Sequence, residues 1–235
     1  MSAHLFNGFS HETVDFLTGL KTDNSRQYFE ANRSLYDNYF MRDAAGFVDA
    51  MGETLRTLSA GIEAIPKRDK SIFRIHRDTR FSPDKRPFKT HMGLFFWEGP
   101  GKKMENSGFY FHLEPEKLFL GVGMHTFPPD FMKTYREAVV DDVLGKSMIE
   151  AVNQSTANTK FELGWKKYKK TPRGFDPDHP RAEYLLHGGL GVSYEEPFSD
   201  RIHSPDIVDY VFSFFQEMAP IHFWLRDLTF KHAGL

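Results

Sequence analysis

The spacing of apolar residues changes twice along this chain. Up to Leu58 they recur every three or four positions, which is typical of amphipathic helices. Ser10 and Asn24 are placed as N-terminal caps of the first two helices, and a third is expected after Asp43. From Phe127 the helical spacing returns and ends in a helix over Ser204–Leu225, which Pro220 should break or kink.

Between these two regions the spacing shortens to two, as in strands with one buried face. The predicted strands are Ile72–Phe81, His91–Trp97, Ser107–Leu113 and Leu118–Met124, with a further strand at Leu190–Tyr194. This order predicts an α+β fold with N-terminal helices, a central antiparallel β-meander of about three to five strands, and C-terminal helices packed on one sheet face. We expect a single domain over residues 1–235.

The composition restricts the chemistry that is available. The chain has no cysteine, which excludes disulfide frameworks, thiolate metal sites and cysteine nucleophiles. The start of the chain lacks a basic segment followed by an apolar one, and no run of about 18 apolar residues occurs. We therefore expect a cytoplasmic protein without a membrane partner, and find no signal for its oligomeric state.

The net charge of −2 conceals a strongly basic segment. Lys67–Lys89 holds nine basic residues against the acids Asp69, Asp78 and Asp84. A second basic cluster lies at Lys166–Arg173. Local charge of this kind favours an anionic partner, whereas the negative total disfavours a chain that coats nucleic acid along its whole surface.

Extending the alternation across the strands places a set of polar residues on one sheet face. The set is Arg74, His76, Asp78, Arg80, His91, Gly93, Tyr110, His112 and Glu114. Gly121 and Gly123 alternate in the last strand of the meander and would leave this face shallow enough for a ligand to approach. Lys85 and Lys89 flank Pro87 in the adjoining loop, where they could hold a phosphate.

These residues favour binding of a small phosphate- or carboxylate-bearing ligand, with acid–base chemistry as an extension. The candidate catalytic residues are His76, His112, Asp78 and Glu114, since imidazole and carboxyl groups exchange protons. The candidate ligand-binding residues are Arg74, Arg77, Arg80, Lys85, Lys89, Tyr110, Gly121 and Gly123. The alternative is structural: Arg and Asp would form ion pairs, the glycines would serve packing, and the loop would be a solvated basic turn.

Other function classes receive less support. No HExxH motif or comparable spacing occurs, and neither does a glycine-rich phosphate loop, so we expect no metal and no cofactor. A nucleic-acid-binding module would use the same basic segment, with Phe81, Phe88, Tyr168 and Phe175 as stacking residues. A surface that binds another protein is a third alternative.

The run RDTRFSPDKRPFKT, preceded by IFRI, resembles the signature of an uncharacterised bacterial and fungal family, the domain of unknown function 2461 family. GFSHETVDFLTGL and NSRQYFEANRSLY resemble its N-terminal helices, GFYFHLEPEKLFLGVGMHTFPP its hairpin with the glycine pair, and GFDPDHPRAEYLL its C-terminal loop and helix. The resemblance covers most of the chain. Phe88 stands where the family usually has Tyr, and His125 where a Trp often follows the glycines. The resemblance implies the fold of this family, for which no activity is established.

Overall fold

A computed structural model describes residues 6–235 of the chain. Helices occupy both ends of the sequence, as predicted. Their bounds are α1 His11–Thr22, α2 Arg26–Ala31, α3 Arg33–Leu35, α4 Met41–Leu55, α5 Phe131–Val140, α6 Leu144–Ser155 and α7 Ile207–His232. A π-helical turn at Tyr36–Phe40 joins α3 to α4. A 3-10 turn at Ala182–Leu186 precedes the last strand.

The strands form one antiparallel sheet in the order β1-β2-β3-β5-β4. Their bounds are β1 Met92–Glu98, β2 Ser107–Leu113, β3 Lys117–Met124, β4 Glu162–Lys166 and β5 His187–Pro197. The α+β prediction is confirmed. The sequence did not predict β4, a largely exposed edge strand that pairs with β5 across a bulge at Trp165.

The predicted strand Ile72–Phe81 is wrong as a continuous element. Its backbone pairs first with β1, where Phe73 N donates to Gly93 O and Phe95 N donates to Ser71 O, at 3.0 and 2.9 Å. It then pairs with its own continuation, because Arg77 N donates to Pro87 O and Lys89 N to Ile75 O, both at 2.8 Å. The change of partner in the middle of the segment prevents a regular ladder. The alternating burial predicted from the sequence persists, since Arg74, His76, Asp78 and Arg80 are all exposed.

The described chain groups into two compact units by its contacts. The first comprises the chain through Phe96, Tyr110–Leu120 and Glu195–Ser213. The second comprises Trp97–Phe109, Gly121–Tyr194 and Phe214–Leu235. The single domain over residues 1–235 stays a prediction.

The core of the first unit is aromatic. Phe9, Phe47 and Phe111 are buried and lie against one another, with ring centroids 4.5 to 5.5 Å apart. Such ring pairs contribute stability beyond the area they bury. Ser10 occupies the N-cap position of α1, as predicted, but its hydroxyl donates to the buried Asp43 carboxylate at 2.5 Å instead of capping its own helix.

The predicted start of the second helix at Asn24 is off by one residue. Ser25 is the N-cap of α2, since its hydroxyl accepts a hydrogen bond from Tyr28 N at 3.0 Å. Asn24 instead binds the backbone of Phe88: its amide oxygen accepts from Phe88 N at 2.9 Å, and its amide nitrogen donates to Phe88 O at 3.2 Å. This one side chain joins the helical region to the loop of residues 77–89, which we call the basic loop.

The part of α7 in the second unit continues through Pro220 and is not broken there, while the alternative of a kink at this residue stays a prediction. Proline has no N–H, so the helix loses one hydrogen bond at this point. The buried Ser155 hydroxyl, at the end of α6, bonds the helix backbone on either side of Pro220. It accepts from Ile221 N at 2.9 Å and donates to Met218 O at 3.1 Å. Within residues 6–235, no helix has both the length and the apolar character that crossing a membrane requires.

We predict that Ser155→Ala lowers the free energy of unfolding by about 1–3 kcal/mol, because it leaves a buried N–H and a buried carbonyl without this partner. Urea denaturation followed by circular dichroism measures the change. Ser213→Ala is the matched control, since this exposed hydroxyl only bonds within its own helix, and should change stability by less than about 0.5 kcal/mol. Equal effects of the two substitutions would contradict the role assigned to Ser155.

Candidate functional site

Four side chains of the predicted polar face come together on β1 and β2. Tyr110, His112 and Glu114 are alternate residues at the end of β2, and His91 lies immediately before β1. The His91 and His112 rings stack with centroids 4.0 Å apart. We call His91, Tyr110, His112 and Glu114 the histidine cluster.

Hydrogen bonds fix the proton positions in the cluster. His112 Nε2 lies 2.7 Å from Glu114 Oε1, and its Nδ1 lies 3.1 Å from Tyr110 Oη. An ionised carboxylate only accepts, so Nε2–H is the donor to Glu114. The Nδ1 atom is then an acceptor, and the Tyr110 hydroxyl donates to it. Tyrosine, imidazole and carboxylate form a directed chain of the kind that positions a proton for transfer.

Burial is the main cause of the pKa shifts within the histidine cluster. It lowers the pKa of His91 to about 3, with the charges of His112, Lys89 and Arg77 acting in the same direction. It also lowers the pKa of His112, although the hydrogen bond with Glu114 opposes this shift. Burial raises the pKa of the Tyr110 hydroxyl to about 12, and the charge of Glu114 adds to the effect. Both imidazoles are therefore neutral near pH 7, and the phenol is protonated.

Aromatic side chains surround the cluster. Phe119 lies edge-on to both Tyr110 and His112, with centroids 6.2 and 6.1 Å away, and Phe73 lies edge-on to Tyr110 at 5.9 Å. The His112 and Glu114 side chains still expose 14% and 22% of their surfaces. A small molecule or ion can therefore reach them from solvent. The acceptor atoms of His91, His112 and Glu114 lie within 4.8 Å of one another, which is close enough for a shared metal ion.

The structure does not place His76 with the histidine cluster. Its ring packs on Phe29 and Phe88, with centroids 5.6 and 5.0 Å away. Phe29 also lies under the guanidinium of Arg33, at 5.4 Å, and Tyr36 lies under that of Arg68, at 5.9 Å. The ring centroids of Phe29 and Tyr36 lie 5.3 Å apart, so the two rings form one continuous floor beneath the guanidiniums of Arg33 and Arg68.

We call this surface the arginine–histidine patch; it consists of Arg26, Arg33, Arg68, Arg74 and His76. All five side chains are exposed. Partial burial lowers the pKa of His76, and the positive charges of Arg68, Arg74, Arg33 and Arg26 lower it further. Among the predicted residues, Arg74 and His76 belong to this patch. The other three arginines were missed.

Other predicted cations are bonded within the basic loop. The loop contains an Asp-x-Arg pattern twice, at Asp78–Arg80 and Asp84–Arg86. In each copy the Asp accepts from the backbone N–H and from the guanidinium of the Arg two residues later. These hydrogen bonds from Arg80 lower the pKa of Asp78 to about 2, and those from Arg86 lower the pKa of Asp84.

Two further cations hold the loop in shape. Arg77 Nη1 donates to Asp84 Oδ2 at 2.6 Å, and Lys85 Nζ donates to Thr79 O at 2.9 Å. Lys89 lies with its Nζ 5.1 Å from the centroid of the Phe73 ring. Arg77, Arg80 and Lys85, proposed from the sequence as ligand-binding, thus make contacts that stabilise the loop itself.

The predicted glycine floor has a packing role at Gly123. This residue has φ +131°, and a Cβ there would lie 2.4 Å from Leu190 O of the neighbouring strand β5. Only glycine allows that approach without a shift of backbone. Gly121 is buried in the same part of β3. Both glycines belong to the second unit, whereas the cluster and the patch belong to the first.

The residues proposed for stacking on nucleic acid differ in accessibility. Phe88 is 3% exposed and stacks on Phe29, with centroids 4.5 Å apart, so it cannot stack on a base. Phe81 is 92% exposed at the loop tip, with the Arg80 guanidinium 5.8 Å from its ring. Tyr168 is exposed and Phe175 is partly buried.

A buried Ser–His–Glu constellation lies in the second unit. His222 Nδ1 is 3.1 Å from Ser107 Oγ, and its Nε2 is 3.3 Å from Glu98 Oε2. The order resembles a hydrolytic triad, but Ser107 and His222 have no exposed surface, so no substrate reaches the hydroxyl. Burial lowers the pKa of His222 despite its contact with Glu98. The constellation satisfies polar groups within the core.

The missed arginines carried only a partial signal. Arg26 and Arg33 are seven residues apart, which places them on one side of a helical segment together with Phe29. That spacing could have identified the pair. Arg68 lies before the basic loop in a turn with no periodicity, so its position depends on tertiary contacts.

Comparison with known proteins identifies the same family as the sequence signature. No curated protein matches the chain significantly. The model of a family described as conserved hypothetical protein (DUF2461) matches residues 12–224, which include all residues of the histidine cluster and the arginine–histidine patch. The chain therefore belongs to the DUF2461 family.

Proposed function

We propose that this protein binds a small phosphate- or carboxylate-bearing ligand at the arginine–histidine patch. The observation that carries the proposal is that Arg33 and Arg68 lie over the joined rings of Phe29 and Tyr36, beside His76, whose ring packs on Phe29. The positive charges of Arg26 and Arg74 act on His76 as well. Guanidinium groups present planar pairs of donors that match the oxygens of phosphate and carboxylate.

Acids neutralise only part of the patch. The charge of Asp37 acts on Arg33, and those of Asp37 and Asp69 act on Tyr36 beneath it. Within residues 6–235, Glu30 is the carboxylate that forms an ion pair in the patch, with Arg33 at 2.8 Å. Asp78 also acts on Arg74, but both of its oxygens are bonded by Arg80. Arg26, Arg68 and Arg74 retain their charge near one another, which an anion would compensate.

His76 adds a group that can exchange protons with such a ligand. Because partial burial and, after it, the surrounding positive charges lower the pKa of His76, this imidazole is neutral near pH 7 and can accept a proton. A phosphate monoester has its second pKa near about 6, so its protonation would couple to that of His76. The proposal therefore includes acid–base chemistry by His76 as an extension.

We expect phosphorylated or carboxylated metabolites to raise the unfolding temperature in a thermal-shift screen that includes inorganic phosphate. Arg68→Gln and Arg74→Gln should each weaken binding about tenfold, since each removes charge-assisted hydrogen bonds worth about 1.4 kcal/mol. Arg201→Gln is the matched control, because that exposed guanidinium also lies over an aromatic ring, 4.3 Å from the centroid of Tyr210, but does not belong to the patch.

No stabilisation by any member of the library would contradict the proposal, and so would equal binding by the Arg68 and Arg74 variants and the wild type. Binding of short single-stranded nucleic acid with a steep salt dependence would instead favour the nucleic-acid alternative.

The titration of His76 gives a second prediction. Its pKa, measured by NMR on the imidazole protons, should lie below the ordinary value of about 6.5. Removing a neighbouring positive charge in Arg74→Gln, or adding phosphate, stabilises the imidazolium form and should raise the pKa. Arg201→Gln should leave it unchanged, since that charge is not among those that act on His76. A His76 pKa at or above the ordinary value, insensitive to phosphate, would show that the patch does not act on this residue as proposed.

A further inference from the structure

The histidine cluster has the donor set of a transition-metal site. It offers two imidazoles and one carboxylate, from His91, His112 and Glu114, and their ligand atoms lie within 4.8 Å of one another. Three protein ligands that leave a coordination position open are typical of catalytic zinc sites, and two histidines with one carboxylate also suit iron, manganese and cobalt. We propose that His91, His112 and Glu114 bind a divalent first-row transition-metal ion.

The distances are compatible with a single ion after a small adjustment. Ligand atoms at about 2.0–2.2 Å from a tetrahedral metal lie roughly 3.4 Å apart. The His112 Nε2 to Glu114 Oε1 distance of 2.7 Å must therefore widen by roughly 0.7 Å, while the longest separation, at most 4.8 Å, must shorten. Rotation of the Glu114 and His91 side chains can supply both changes, since neither residue lies in the buried middle of a strand.

Tyr110 orients the site without binding the ion. Metal-binding histidines commonly use their second ring nitrogen in a hydrogen bond, which fixes the ring and its tautomer. His112 Nδ1 already lies 3.1 Å from Tyr110 Oη. When Nε2 binds a metal, its proton moves to Nδ1, and Tyr110 Oη becomes the acceptor. The histidine stays neutral throughout, so no net proton is released from it.

The surrounding charges permit a cation. Arg77 faces His91, but it is paired with Asp84 at 2.6 Å. Lys117, which faces His112, is paired with Glu195 at 2.7 Å. Lys89 also acts on His91, and its positive charge opposes metal binding. The Glu114 carboxylate supplies negative charge at the site itself.

Sequence spacing does not predict this site, because the ligands combine a pair two residues apart on β2 with a residue that precedes β1. The proposal is independent of anion binding at the arginine–histidine patch. Either can fail without the other.

Isothermal titration of the full chain, stripped of metal with a chelator, should show one Zn²⁺ bound per chain, and Co²⁺ should give a visible absorption spectrum. Glu114→Gln should weaken Zn²⁺ binding by more than about 100-fold, because it removes a ligand, whereas Tyr110→Phe should weaken it about 10- to 100-fold. His125→Gln is the control, because this exposed histidine and its contact Trp165 both belong to the second unit. The His125→Gln variant should bind Zn²⁺ like the wild type.

Glu114→Gln keeps an oxygen that can accept from His112, so the variant should remain folded, which circular dichroism in the presence of chelator checks. Failure of the wild type to bind Zn²⁺ at a one-to-one ratio would overturn the proposal. Binding by Glu114→Gln with wild-type affinity would also overturn it.

Discussion

The change of pairing partner within Ser71–Arg77 is the constraint on which both candidate sites depend. Its first residues extend the sheet edge at β1, and the next residues close the basic loop onto itself. Successive side chains of an extended backbone point to opposite sides. Phe73 and Arg77 therefore face the histidine cluster, while Arg74 and His76 face α2 and the arginines around it. One short segment thus contributes to two chemically different surfaces.

The basic loop, the arginine–histidine patch and the histidine cluster differ in how their charges are balanced. In the basic loop each acid is bonded by arginine, and the pattern Asp-x-Arg keeps those bonds local. In the arginine–histidine patch the guanidiniums of Arg33 and Arg68 lie on aromatic rings, which attract cations without cancelling their charge. The histidine cluster holds neutral imidazoles beside one carboxylate. Local ion pairs explain why a segment so rich in basic residues leaves only part of its charge available to a partner.

Sequence reasoning recovered what depends on local periodicity. The alternation of β2 correctly brought Tyr110, His112 and Glu114 to one side, because alternate residues of a strand necessarily share a face. It failed where the segment Ser71–Arg77 changes its pairing partner. It therefore placed His76 with the histidine cluster, whereas the His76 ring packs on Phe29 and Phe88. It left open whether Pro220 breaks the last helix, because the Ser155 hydroxyl that bonds the helix backbone there comes from a distant part of the sequence. Arg68 was missed for the same reason.

Asn24 recognises the main chain of Phe88 and not its side chain. A contact of this kind uses only the backbone atoms of residue 88, so it does not depend on which side chain follows Pro87. The attachment of the basic loop to the segment before α2 therefore depends on the Asn24 amide, which lies outside the conspicuous signature.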